Sequence, residues 1–131
     1  MAVVQLSRAE VEAALGRWGL VAYRTLDSWY WCADLPYWDI ILASVPPPPK
    51  WYAEVQDCDD IAEWFREECR RRFHLKPGVI INDTHVFNIA VLADGALQLM
   101  DAMWSDGWVV QVSYVEPGSS LHELAGARVW M

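Results

Sequence analysis

Basic residues are scarce in this chain: 10 Lys and Arg stand against 18 Asp and Glu, a formal net charge of −8. A surface of that sign repels phosphate backbones, which argues against general nucleic-acid binding. The one basic run, Arg70-Arg71-Arg72, follows Glu67 and Glu68 and reads as the solvated last turn of a helix, where cations suit the dipole. Cysteine is scarcer still. Cys32, Cys58 and Cys69 make an odd count without close pairs, unlike a secreted disulfide framework. No apolar run approaches the ~18 residues a membrane span needs. Arg8, Glu10, Glu12 and Arg17 charge the segment where a signal peptide would be apolar. These absences predict a cytoplasmic, reducing setting with no membrane and no nucleic-acid partner.

Apolar and aromatic side chains, by contrast, are plentiful. They make up 54% of the 131 residues, enough for one domain to bury a core without disulfide or metal staples. Nine tryptophans are more than a small domain buries completely, so some are expected to face a cleft, a protein partner or a second copy of the chain. The aromatics around Trp29 to Trp38 and Trp104 to Trp108 are the surface expected to serve a partner or a homodimer.

The spacing predicts an α+β domain spanning residues 1–131. An N-terminal helix and an aromatic-rich segment occupy 1–45, and a core helix with a β-meander occupies 50–115. Ser7 and Glu10 form a capping-box signature for a helix over Ser7 to Trp18, with Gly19 as its stop. Val21 to Leu35 reads as one or two strands, broken near Asp27-Ser28 and ended by Pro36. Tyr37 to Ser44 fits helix or strand equally. Pro46 to Pro49 lacks backbone donors and reads as a stiff surface connector. From Asp57 to Arg72, the residues Cys58, Ile61, Ala62, Phe65 and Cys69 draw one apolar helical stripe. Asp57, Asp59 and Asp60 stand in the first turn and arginines in the last, as the helix dipole favours. Beyond Pro77-Gly78, strands are predicted over Val79 to Asn82, His85 to Leu92, Leu97 to Trp104 and Trp108 to Val115. Ala93-Asp94-Gly95 and Asp106-Gly107 are the hairpin turns. The tail carries only a weak element near Leu121 to Leu124 and Val129-Trp130 at its end.

The first hairpin encodes its own register. His85, Phe87, Ile89 and Val91 share one face of a strand, and Leu97, Leu99, Asp101 and Met103 share one face of the next. A two-residue turn would put these apolar faces on opposite sides of the sheet. A three-residue loop with Gly95 left-handed brings them together, sets Phe87 opposite Asp101, and makes His85 and Asp101 diagonal neighbours about 7–8 Å apart at the backbone.

That placement suggests chemistry. Cys58 at a helix start is where the dipole favours a thiolate, His85 can take and return a proton, and Asp101 can orient the imidazole. The same residues have plainer roles: a cysteine on an apolar stripe is usually a small core residue, and a strand histidine usually a satisfied one. Asp101 is harder to set aside, because a carboxylate on an apolar face needs a partner. The acidic neighbours of Cys58 oppose a thiolate unless a hard cation such as Ca²⁺ neutralises them, which makes Asp57, Asp59 and Asp60 candidate metal ligands. Gln56 and Tyr52 are the candidate oxyanion donors.

The motif Asp57-Cys58-Asp59-Asp60-Ile61-Ala62 on a helix, then Thr84-His85-Val86-Phe87-Asn88, then Asp94-Gly95 and Asp101, resembles the papain-like cysteine-protease domain of the fairy-ring mushroom agglutinin and its small phage and bacterial relatives. More loosely it is similar to transglutaminase-like cysteine peptidases. The resemblance covers roughly residues 50–105. It implies a papain-like fold, a Cys58 nucleophile, a His85 base and a calcium- or manganese-linked activity. This chain has Thr84 where that group has a small residue before the histidine, and Asp101-Ala102-Met103 where the agglutinin has a glutamate followed by Pro-Gln. The expected function is a cysteine hydrolase of peptidase type acting on a peptide or protein. The alternative is an inactive relative that serves as a protein-binding accessory or inhibitor.

Overall fold

The structure is a computed structural model that describes residues 2–24, 27–45, 58–105, 108–118 and 121–131. Pro46 to Pro49, Tyr52, Gln56, Asp57 and the Asp106-Gly107 turn lie outside the described residues. The described chain is α+β, as expected.

The N-terminal helix α1 (Arg8–Gly16) starts as its capping box dictates: Ser7 Oγ accepts from Glu10 N–H at 3.2 Å, and Glu10 Oε1 accepts from Ser7 N–H at 3.1 Å. It ends two residues short of Trp18 in a turn closed by Gly19 at φ +71°. A strand that the sequence did not announce, β1 (Val3–Ser7), precedes it. The aromatic-rich stretch splits into β2 (Val21–Arg24) and β3 (Trp29–Ala33), which join different sheets: β3 pairs antiparallel with β1, and β2 goes to the main sheet. The undecided stretch is helix α2 (Leu35–Ser44). Asp34 caps it by accepting from Tyr37 N–H at 3.2 Å, and Pro36 sits in the first turn, where a missing N–H costs nothing.

Helix α3 (Cys58–Phe73) buries Ile61, Ala62, Phe65 and Cys69, the stripe read from the sequence, and Glu67 and Glu68 pair with Arg70, Arg71 and Arg72 on its solvated side. The meander follows as β4 (Gly78–Ile81), β5 (Val86–Val91), β6 (Leu97–Ser105) and β7 (Trp108–Val115). The tail adds β8 (Arg128–Trp130), which inserts between β2 and β4, parallel to the first and antiparallel to the second. The main sheet therefore runs β2-β8-β4-β5-β6-β7.

Strand alternation gives the sheet two buried faces. On one, α1 covers Ile80, Phe87, Ile89, Leu99 and Val129. On the other, α2 and α3 cover Ala90, Met100 and Val112, with Phe65, Cys69, Trp38 and Ile41 supplying the helix side. Asn88 is the polar exception within this second layer. Its Nδ2 donates to the carbonyls of Ala62 at 3.1 Å and Gly78 at 3.2 Å, tying α3 to the sheet.

Candidate functional site

The β5–β6 hairpin has the register that the sequence pattern selects. Asn88 pairs with Met100, Ile89 with Leu99 and Val91 with Leu97. Leu92 N–H donates to Ala96 O at 2.8 Å, so Ala93-Asp94-Gly95 is a three-residue loop, with Gly95 at φ +85°. Continued by one residue, this register sets Phe87 opposite Asp101, and the His85 and Asp101 side chains meet on the α1 face: His85 Nε2 lies 2.7 Å from Asp101 Oδ2.

A third residue joins them. His122, from the irregular segment before β8, places its Nε2 2.8 Å from the same Oδ2. Asp101 Oδ1 accepts from Ala102 N–H at 2.8 Å. The carboxylate is only 9% exposed, and these contacts replace the water it gives up. An ionised carboxylate only accepts, so each imidazole donates to it through an Nε2 proton. Phe87 walls the cluster, stacking on His85 with ring centroids 5.7 Å apart and meeting His122 edge-on at 4.9 Å.

Asn82 fixes both histidines through their backbones. Its Oδ1 accepts from His85 N–H at 2.7 Å and Thr84 N–H at 2.9 Å, while its Nδ2 donates to the carbonyls flanking His122, Leu121 O at 2.8 Å and Glu123 O at 3.2 Å. Around this hub a cavity of about 190 Å³ is lined by Asn82, Asp83, Thr84, Glu123 and Ala125, the sequence neighbours of the two histidines.

The remaining predicted site residues are placed differently. Cys58 is half-buried at the first residue of α3. Its helix packs on the Asn88–Ala90–Met100 face, so the sheet lies between that helix and the His85 imidazole. Among the described residues, the titratable group whose ligand atoms lie within 4.8 Å of one another is His85, Asp101 and His122, without Cys58. Asp59 and Asp60 are exposed in the first turn of α3, while Asp57, Gln56 and Tyr52 fall outside the described residues. The other two thiols are buried: burial pushes Cys32 up to about 11 from an ordinary value of 9.0, and raises Cys69 further.

Sequence reasoning found the His85–Asp101 pair and missed His122 and Asn82. His122 sits in a segment without periodicity, so nothing local marks it. Asn82 does leave a trace, as a polar residue ending an apolar strand before Asp83-Thr84, in the manner of a side chain that bonds nearby backbone. No family model matches this sequence, and no curated protein and no solved structure matches it either.

Proposed function

We propose that this α+β domain is a small hydrolase in which Asp101 holds the His85 imidazole for proton transfer. The observation that carries the reading is the 2.7 Å contact between His85 Nε2 and Asp101 Oδ2 on a nearly buried carboxylate. A carboxylate so placed fixes the tautomer and the orientation of the ring. In the papain-like arrangement that the sequence resembles, Cys58 supplies the nucleophile. In support, Cys58 begins a 16-residue helix, where the dipole favours a thiolate, and it is the half-buried cysteine of the three. The reading requires the first turn of α3 to bring the thiol round to the histidine face, because proton transfer works only within hydrogen-bond reach, about 2.6–3.2 Å between heavy atoms or one water further.

The test is turnover of a panel of fluorogenic peptide and ester substrates by wild type, Cys58→Ala and His85→Ala. Loss in both variants is expected. Turnover that survives in Cys58→Ala removes the thiol from the mechanism and leaves water as the nucleophile. Turnover that survives in His85→Ala ends the hydrolase reading. Repeating the wild-type assay in chelator tests the calcium dependence assigned to Asp57, Asp59 and Asp60.

A second reading, a protein-binding accessory on this fold, draws on the β1–β3 ribbon, where Trp29 is 59% and Trp31 54% exposed beside the half-exposed Val3 and Val4. Aromatics this open suit a partner or a second copy of the chain. Sedimentation of wild type against Trp29→Ser/Trp31→Ser tests the homodimer form: equal monomer mass at high concentration rules it out.

A further inference from the structure

We propose that His85 Nε2, Asp101 Oδ2 and His122 Nε2 together hold one divalent transition-metal ion of the zinc class. This inference does not depend on the nucleophile or on the hydrolase reading.

The donor set is the first ground. Two imidazole nitrogens and one carboxylate oxygen suit Zn²⁺, Co²⁺ or Fe²⁺, whereas Ca²⁺ takes six to eight oxygens. Convergence is the second. All three ligand atoms lie within 4.8 Å of one another, and both nitrogens aim at a single oxygen, at 2.7 and 2.8 Å. An ion bound at about 2.0–2.2 Å from each ligand needs them roughly 3–3.5 Å apart. Side-chain rotations that shift the ligand atoms by up to about 1 Å bring them to that spacing. The imidazoles then coordinate as Nδ1–H tautomers, so the Nε2 protons that face the carboxylate move to Nδ1 and no proton is lost overall.

The surrounding shell is the third ground, and it separates a built site from two histidines that merely satisfy a carboxylate. Supporting hydrogen bonds that orient ligands are a regular part of metal sites. Here one side chain, Asn82, fixes the backbone at both histidines although they lie 37 residues apart, while Phe87 closes the cluster on its apolar side. Three protein ligands leave a coordination position open, as in catalytic rather than structural zinc sites. The side chains of His85 and His122 are each 12% exposed, so water can reach that position. With an ion on Nε2 the other ring nitrogen of His85, Nδ1, carries the proton and cannot accept one from a thiol, so ion binding and thiol chemistry exclude each other.

The test is titration of the metal-stripped full chain with Zn²⁺ and Co²⁺ by calorimetry. Wild type is expected to take up one equivalent with micromolar or tighter affinity. His122→Ala should weaken binding by at least about 100-fold, since loss of even a supporting contact costs roughly 10–100-fold. His74→Ala, which changes an exposed histidine at the end of α3, should bind as wild type does. Wild-type chain that takes up no ion, or uptake unchanged in His122→Ala, overturns the proposal. Should that variant fail to fold, proton spectra of wild type with Co²⁺ decide the matter. Paramagnetic shifts of the His85 and His122 ring protons, with His74 unmoved, support the site, and shifts confined to other residues refute it.

Discussion

Asp101→Ala is the sharpest probe of the cluster, and its cost can be worked from the contacts. The carboxylate accepts from His85, His122 and Ala102 N–H and is 9% exposed. Its removal strands two imidazole donors whose side chains are each 12% exposed. A buried donor left without a partner costs about 1–3 kcal/mol, so the two rings together account for about 2–6 kcal/mol. Relief of the carboxylate's own desolvation, and water entering the space vacated, offset part of this. A net loss of about 3 kcal/mol is expected, which for a domain of this size lowers Tm by about 10 °C. Asp101→Asn keeps the volume and one acceptor and should lose less. The assay is urea denaturation in chelator, followed by circular dichroism, on the single variants and on Asp101→Ala/His122→Ala. If the contacts carry the cost, His122→Ala costs less in the Asp101→Ala background than in wild type, with a coupling of about 1–2 kcal/mol. A loss below about 0.5 kcal/mol for Asp101→Ala, the size of an ordinary surface change, or strict additivity in the double variant, refutes the reasoning.

Two further outcomes follow from the layers on either side of the sheet. Burial raises the Cys32 thiol from 9.0 to about 11, so the folded chain keeps a proton that the unfolded chain releases. The associated stability is complete below about pH 9 and is lost as pH rises through about 11, roughly 3 kcal/mol in all. Denaturation at mildly and strongly alkaline pH should show this slope in wild type and a shallower one in Cys32→Ala, and equal slopes would count against it. On the other face, Asn88→Ala removes the two hydrogen bonds to the Ala62 and Gly78 carbonyls and with them a contact between α3 and the sheet, and should cost about 1–3 kcal/mol. A melting temperature within a degree or two of wild type would show that this bridge contributes little.

Some of this protein is determined by short stretches of sequence. The Ser7–Glu10 capping box starts α1, and the Ile61–Phe65–Cys69 stripe, with acids before it and arginines after it, makes α3. The Ala93-Asp94-Gly95 loop and the period-two apolar pattern set the β5–β6 register, and that register is enough to bring Asp101 within reach of His85. Each of these is decided by residues within one helix or one hairpin, where backbone geometry fixes which side chains share a face.

Only the tertiary structure decided the rest. β1 pairs with β3 across α1, and β8 slots between β2 and β4 although about a hundred residues separate it from β2. Closures of that length leave no local periodic signature, and the short β8 could serve several partners equally well by pattern alone. The apolar stripe of α3 likewise says that the helix packs on a sheet but not on which face. That choice follows from the connections and from Asn88 reaching the Ala62 carbonyl, and it puts the helix of Cys58 across the sheet from His85. The approach of β8 along the sheet carries His122 to Asp101, turning the pair that the sequence specifies into a three-residue cluster that only the folded chain assembles.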